Sequence, residues 1–146
     1  MENYNLEDRI ILRDGKQFIL DYLRKKYVRL TPEECVRQSL VHYLVYDLNY
    51  PPGLICLEKE RANKFRLDYR ADIAIYDTTF KIILLAECKK SGTVIDEKTL
   101  DQLAKYNANC NAKLLVISNG TQNLCWLFNN ELRRYESIPN IPPFGF

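Results

Sequence analysis

The sequence predicts an α/β fold in which a central mixed β-sheet is flanked by helices, and three observations carry that prediction. Short apolar runs of strand composition crowd the middle of the chain, ending in Lys81-Ile82-Ile83-Leu84-Leu85-Ala86-Glu87-Cys88-Lys89. Two helical patterns, opening near Thr31 and near Asp96, bracket those runs. A further buried run, Leu114 to Ser118, follows the second helix. An antiparallel hairpin followed by a crossover helix makes the sheet mixed, with helices on both faces.

The elements read in order as follows. Ile10-Ile11-Leu12-Arg13 and Lys16-Gln17-Phe18-Ile19 flank Asp14-Gly15, a strong hairpin signal. Asp21 to Tyr27 reads as a short helix. Thr31-Pro32-Glu33-Glu34 opens the first long helix: Thr31 suits the N-cap, Pro32 the first helical position, and Glu34 completes a capping box. That helix runs to about Leu48, with Val36, Leu40, Tyr43, Leu44 and Leu48 as its buried stripe, and Asn49-Tyr50-Pro51-Pro52-Gly53 ends it. Strands are expected at Leu54 to Glu58, Phe65 to Tyr69, Ala71 to Tyr76 and Lys81 to Cys88. The second helix spans about Asp96 to Cys110. Strands at Leu114 to Ser118, Leu124 to Phe128 and Arg133 to Glu136 follow, and residues 138–146 form a proline-rich extended tail. The domain reading is one unit over residues 1–146: an N-terminal hairpin and short helix (1–30), a core (31–137) and the tail (138–146).

Composition narrows the function classes. The 146 residues are 47% hydrophobic and 27% charged, as expected of a soluble globular domain with one sizeable core. No apolar run approaches the roughly 18 residues that span a bilayer, and the polar, acidic N-terminus is not a signal peptide, so the expected location is cytoplasmic. Cys35, Cys56, Cys88, Cys110 and Cys125 are an odd, scattered set without a C-x-x-C pair, and they read as free thiols in a reducing compartment. Net charge is only +2, but Arg24-Lys25-Lys26 with Arg29, Lys59 to Arg66, and Lys89-Lys90 are local basic clusters, each either a phosphate-holding groove or an ordinary solvated surface.

The residues that carry chemistry lie on the central hairpin. Side chains alternate along a strand, so Glu87 and Lys89 share a face while Cys88 points into the core. Asp72 belongs to the preceding strand. A two-residue loop, either Thr78-Thr79 or Thr79-Phe80, pairs residues whose numbers sum to an odd total. Asp72 then sits opposite Glu87 in one register and diagonal to it in the other, on the same face in both. Opposed carboxylates repel, and a hard divalent cation resolves the conflict. Mg²⁺ takes such oxygens together with waters and phosphate, and the carbonyl of Cys88 is a further candidate ligand. Lys89, on the same side, suits a water or a developing phosphate charge. Strand-end charges facing solvent are the plain alternative.

At these residues the chain resembles the PD-(D/E)xK nuclease superfamily, and more narrowly the N-terminal nuclease domain of type I restriction enzyme R subunits and its stand-alone relatives. The likeness covers roughly Phe18 to Glu136. It rests on Leu23 to Tyr27 with Leu30 to Gln38, Arg70-Ala71-Asp72-Ile73, Glu87-Cys88-Lys89, Asp101 to Asn107, and Ser118-Asn119-Gly120. The resemblance implies a restriction-endonuclease-like core, Mg²⁺-dependent hydrolysis of DNA phosphodiesters with Mn²⁺ as a substitute, and a place in restriction–modification. It implies Asp72 and Glu87 as metal ligands and Lys89 as the catalytic lysine. Its Q-x-x-x-Y element falls on Gln102 and Tyr106, which four-residue spacing puts on one helical face. Glu34 matches an acidic residue found near the metal in many members, although capping explains it equally. Arg37 and Lys90 are candidate phosphate contacts, Arg37 alternatively pairing with Glu33 or Glu34; Glu58 is a weaker border residue. The implied partners are DNA, a separate helicase, translocase or specificity subunit, and a second copy of the chain.

Ala71 stands where the motif has proline, and no G-x-x-x-x-G-K-S/T phosphate loop is present, so the chain is not expected to translocate on DNA by itself. A catalytically inactive relative, binding nucleic acid or a protein through the same groove, is the alternative reading. His42, the sole histidine, lies off the apolar stripe and has no partners for a triad.

Overall fold

A computed structural model describes residues 5–57 and 71–146. The strand expected at Phe65 to Tyr69, the residue Glu58 and the basic run from Lys59 to Arg66 lie outside the described residues. Two sheets are present. The first has the order β1 (Ile10–Arg13), β2 (Lys16–Leu20) and β3 (Tyr27–Arg29), and the second runs β4 (Ile55–Leu57), β5 (Ile73–Tyr76), β6 (Ile82–Cys88), β7 (Leu114–Ser118), β8 (Asn123–Asn129) and β9 (Arg134–Ile138). Among the described residues two α-helices, α1 (Pro32–His42) and α2 (Glu97–Asn107), accompany these sheets.

In the larger sheet β6 and β7 pair in parallel across the α2 crossover, and the other described pairs are antiparallel. The sheet is therefore mixed, as the sequence requires. Its two faces bury separate clusters. Ile73, Ile75, Leu84, Ala86, Leu114 and Val116 pack with Val36, Leu40 and Leu44 from α1 and the turn after it. Ala74, Tyr76, Leu85, Leu115 and Ile117 pack with Leu103 of α2. Period-2 alternation thus sends odd and even positions of β5 and β6 to different helices. Burying one such leucine or isoleucine stabilises the fold by about 1.5–3 kcal/mol.

The local signals explain most element ends. Asp14 (φ 50°) and Gly15 (φ 71°) both take the left-handed conformation that a two-residue hairpin loop demands. Thr31 accepts a hydrogen bond from the Glu34 amide at 3.1 Å, capping α1. Asp96 caps α2 through the Thr99 amide at 3.0 Å.

Two expectations are corrected, and the place where the tail docks, which the sequence leaves open, is found. Asp21 to Tyr27 is not a helix: the Asp21 carboxylate accepts from the amides of Leu23 and Arg24 at 2.9 and 2.7 Å, and Lys25 takes φ 54°, so the chain turns back into β3. The first helix is α-helical only to His42; Tyr43–Asp47 widens into a π-helical turn, with the Leu48 amide donating to the Tyr43 carbonyl. The tail does dock. Ile141 is buried, the Phe144 amide donates to the Leu48 carbonyl, and Tyr50 OH donates to the Pro142 carbonyl at 2.8 Å.

Cys35, Cys88 and Cys125 are free thiols. Burial pushes the Cys125 thiol up to about 11. Cys88 points into the α1-side core, as alternation requires, and its thiol is raised well above the ordinary range by burial and by Asp72. No helix among the described residues is long and apolar enough to cross a membrane.

Candidate functional site

The register of the β5–β6 hairpin decides where the acidic residues go. Ile73 pairs with Ala86, Ala74 with Leu85 and Ile75 with Leu84. Continued by one step, this register would set Asp72, which stands in a bend just before β5, opposite Glu87, the closer of the two registers open from the sequence. Cβ atoms of such a pair lie about 5 Å apart. The route to this register differs from the one expected. Asp77 and Lys81 close a three-residue loop, with Phe80 at φ 62° and the Asp77 carboxylate accepting from the Thr79 and Lys81 amides. That loop alone gives an even pairing sum. A bulge then shifts the pairing between Ile75 and Tyr76 by one residue and restores the odd one. Loop and bulge together set Ala74 opposite Leu85 and so keep the odd pairing sum.

The carboxylates are held from below by the backbone. Asp72 Oδ2 accepts from the Cys88 amide at 2.7 Å, which fixes its carboxylate across the end of β6. The Lys89 amide donates to the Ser118 carbonyl at 2.8 Å, extending the parallel ladder one residue past β6. Glu87 is buried, and its Oε1 lies 3.4 Å from Lys89 Nζ. Asp72, bound to the Cys88 amide, and the Glu87–Lys89 pair therefore all lie at the same end of β6. Among the described residues no set of three or more His, Cys, Asp or Glu side chains converges as a metal cage. A two-carboxylate donor set is nonetheless what Mg²⁺ uses, since it keeps several waters and takes phosphate oxygens besides.

Gln102 and Tyr106 project from α2, the helix packed on the same sheet face. Gln102 Nε2 donates to Tyr106 OH at 2.8 Å, so the four-residue spacing does bring them together. Gln102 is exposed, whereas Tyr106 packs partly against the core beneath α2. Lys90 is exposed at the start of the following loop, and the Asn119 amide group ties that loop down by donating to the Thr93 carbonyl at 2.9 Å.

Glu34 and Arg37 belong to a different assembly. Glu34 is 7% exposed, and its oxygens face Gln38 Nε2 at 2.8 Å, an Arg37 guanidinium nitrogen, and Arg24 at 3.6 Å. Asp21, fully buried, pairs with Arg24 at 2.8 Å and accepts from Gln38 Nε2 at 2.7 Å. The capping box is thus half-made: Thr31 caps the helix, while the Glu34 carboxylate turns inward to cations. Burial and the neighbouring Arg24 lower the Arg37 pKa from its ordinary value, and Asp72 works against them. The sequence shows Arg24 as the head of a basic cluster and assigns neither Asp21 nor Gln38 a site role. The available signal was Gln38 four residues after Glu34, on one helical face.

A family model described as type I restriction enzyme R protein N terminus (HSDR_N) matches residues 32–142. The chain belongs to that family. The match takes in α1, the hairpin with its rim, α2 and β7 to β9, and starts after β1 to β3. It supplies the restriction–modification setting that the motif residues suggest. No curated protein and no solved structure matches this R protein N terminus.

Proposed function

We propose that the chain is a Mg²⁺-dependent endonuclease acting on DNA phosphodiesters, with the reaction at the Asp72–Glu87–Lys89 rim and Mn²⁺ able to replace Mg²⁺. The observation that supports this reading is that the Asp72 carboxylate takes the Cys88 amide at 2.7 Å at the end of β6, where Lys89 Nζ stands 3.4 Å from Glu87. Asp72, Glu87 and the Cys88 carbonyl would hold the ion, which when bound would polarise the scissile phosphate and acidify an attacking water.

The chain's own groups do the rest. The Cys88 amide fixes the Asp72 carboxylate in place before substrate arrives. Glu87 orients Lys89, whose ammonium donates to the attacking water or to a phosphate oxygen as negative charge builds. Lys90 adds a phosphate contact at the edge, and Gln102 with Tyr106 contacts the strand from α2. Glu34, its oxygens committed to three donors, buttresses Arg37 rather than ligating the ion. Arg37 steadies Asp72 from the α1 side. A separate translocase or specificity subunit would deliver the DNA, and pairing of two copies would allow both strands to be cut.

The test is nicking of supercoiled plasmid with Mg²⁺ or Mn²⁺. Asp72→Ala and Lys89→Ala should each abolish it with the circular dichroism spectrum unchanged. Cleavage that persists in both variants would remove the rim from the reaction. DNA binding without cleavage across metals and substrates would instead favour the inactive binding module.

A further inference from the structure

The N-terminal sheet, which lies outside the family match, carries an organised cationic face. The register pairs Arg13 directly with Lys16, Ile11 with Phe18, and Phe18 with Arg29. Residues opposed in this way share a face, so Arg13, Lys16, Phe18 and Arg29 stand together on one side of β1–β2–β3. Ring geometry agrees independently: the guanidinium groups of Arg13 and Arg29 lie 5.8 and 6.0 Å from the centroid of the Phe18 ring. Ile19, on the other side, is fully buried. Arg13, Lys16 and Arg29 are all exposed, and Tyr27 at the margin of the same face is 42% exposed.

This face has an uncompensated charge. Like charges directly opposite in a hairpin destabilise it. Among the described residues no carboxylate makes an ion pair with Arg13, Lys16 or Arg29. Residues 5–30 hold seven cations and four carboxylates on a chain whose net charge is only +2, so the positive excess is concentrated here. One of those carboxylates, Asp21, is buried against Arg24 and leaves the surface balance untouched. Arg24 itself, which heads the basic cluster visible in the sequence, is likewise buried and unavailable to a ligand.

We infer that the Arg13–Lys16–Phe18–Arg29 face is a second nucleic-acid contact, separate from the cleavage rim, that holds the phosphate backbone of DNA. Cations flanking an aromatic ring on an open sheet suit a polyanionic strand: the cations take phosphates without reading sequence, and Phe18 and Tyr27 offer stacking surface for an unpaired base. That the polyanion is DNA rests on the cleavage reading; the binding itself needs no metal.

The experiment measures affinity of the full chain for a short fluorescein-labelled DNA duplex and for the matching single strand, by anisotropy, in EDTA over a series of salt concentrations. Replacing Arg13, Lys16 and Arg29 together by alanine should lower the slope of log affinity against log salt by about 0.9 per lost phosphate contact on duplex, and weaken binding on the order of tenfold or more. Phe18→Ala should weaken single-strand binding more than duplex binding. All three cations are exposed, so a circular dichroism spectrum matching wild type certifies the fold. An unchanged slope and affinity would overturn the inference, as would binding to vesicles of anionic lipid with none to DNA. Because metal is absent, the result is independent of catalysis: DNA cleaved with an unchanged slope sinks only this face, and a lost slope on an inert protein sinks only the cleavage reading.

Discussion

The Asp72–Glu87–Lys89 rim and the Asp21–Arg24–Glu34–Arg37–Gln38 cluster both set carboxylates beside cations, and they differ in how far those groups are sealed from solvent. The cluster sets two carboxylates against two guanidinium groups and fills the remaining acceptors from Gln38 and backbone amides. It is neutral as a whole and sealed. The rim sets Glu87 against Lys89 at the end of β6, where the Lys89 side chain is 24% exposed. Acidic residues beside basic ones do not by themselves mark a reactive site; the access of solvent and ligand to the charged groups separates a sealed cluster from a candidate centre.

Substitutions should separate the two. Lys89→Ala should lower cleavage by about 10²–10⁴-fold or more, the range for losing a positioned proton-handling or charge-stabilising group. It should cost stability under about 1 kcal/mol, since Lys89 is partly exposed. Arg24→Ala should do the reverse at the level of the fold, costing about 3–5 kcal/mol in urea unfolding because Asp21 is left buried and uncompensated. Equal stability losses in the two variants would erase the distinction.

A buried group with no ionic partner gives a third reference point. The Cys125 thiol, raised by burial to about 11, keeps its proton more tightly when folded than when unfolded. Its contribution is complete below about pH 8.5, the ordinary thiol value, and is lost as pH rises from there towards 11. Urea unfolding across that window should show falling stability, with a shallower fall in Cys125→Ala; equal slopes would deny the thiol that role. The smallest effect belongs to the solvent-facing pair of Arg134 and Glu136, 67% and 40% exposed. Arg134→Ala should shift unfolding by less than about 1 kcal/mol.

Much of this was legible from local signals. Thr31 and Pro32, Asp14-Gly15, and the period-2 runs of β5 and β6 each declare an element through nearby residues, and they gave the mixed sheet and the odd pairing of β5 with β6. The reading went astray where tertiary context overrides local preference. Asp21 to Tyr27 has helix-compatible composition, but the Asp21 carboxylate binds backbone amides and breaks it. Glu34 has the spacing of a capping residue, but cations on α1 and on the preceding turn draw it inward. The bulge at Ile75/Tyr76 has no marker in the sequence, and the expected odd pairing survived because loop length and bulge compensate. The docking of the tail on Leu48 and Tyr50 is a long-range contact that no periodicity announces.

The central claim is that the rim, and not the sealed cluster, holds a divalent ion. Anomalous diffraction from crystals soaked in Mn²⁺ tests it most directly. The account predicts one strong peak about 2.0–2.3 Å from carboxylate oxygens of both Asp72 and Glu87, absent in an Asp72→Asn crystal. A peak on Glu34, or no peak at the rim when the ion saturates other sites, would contradict it.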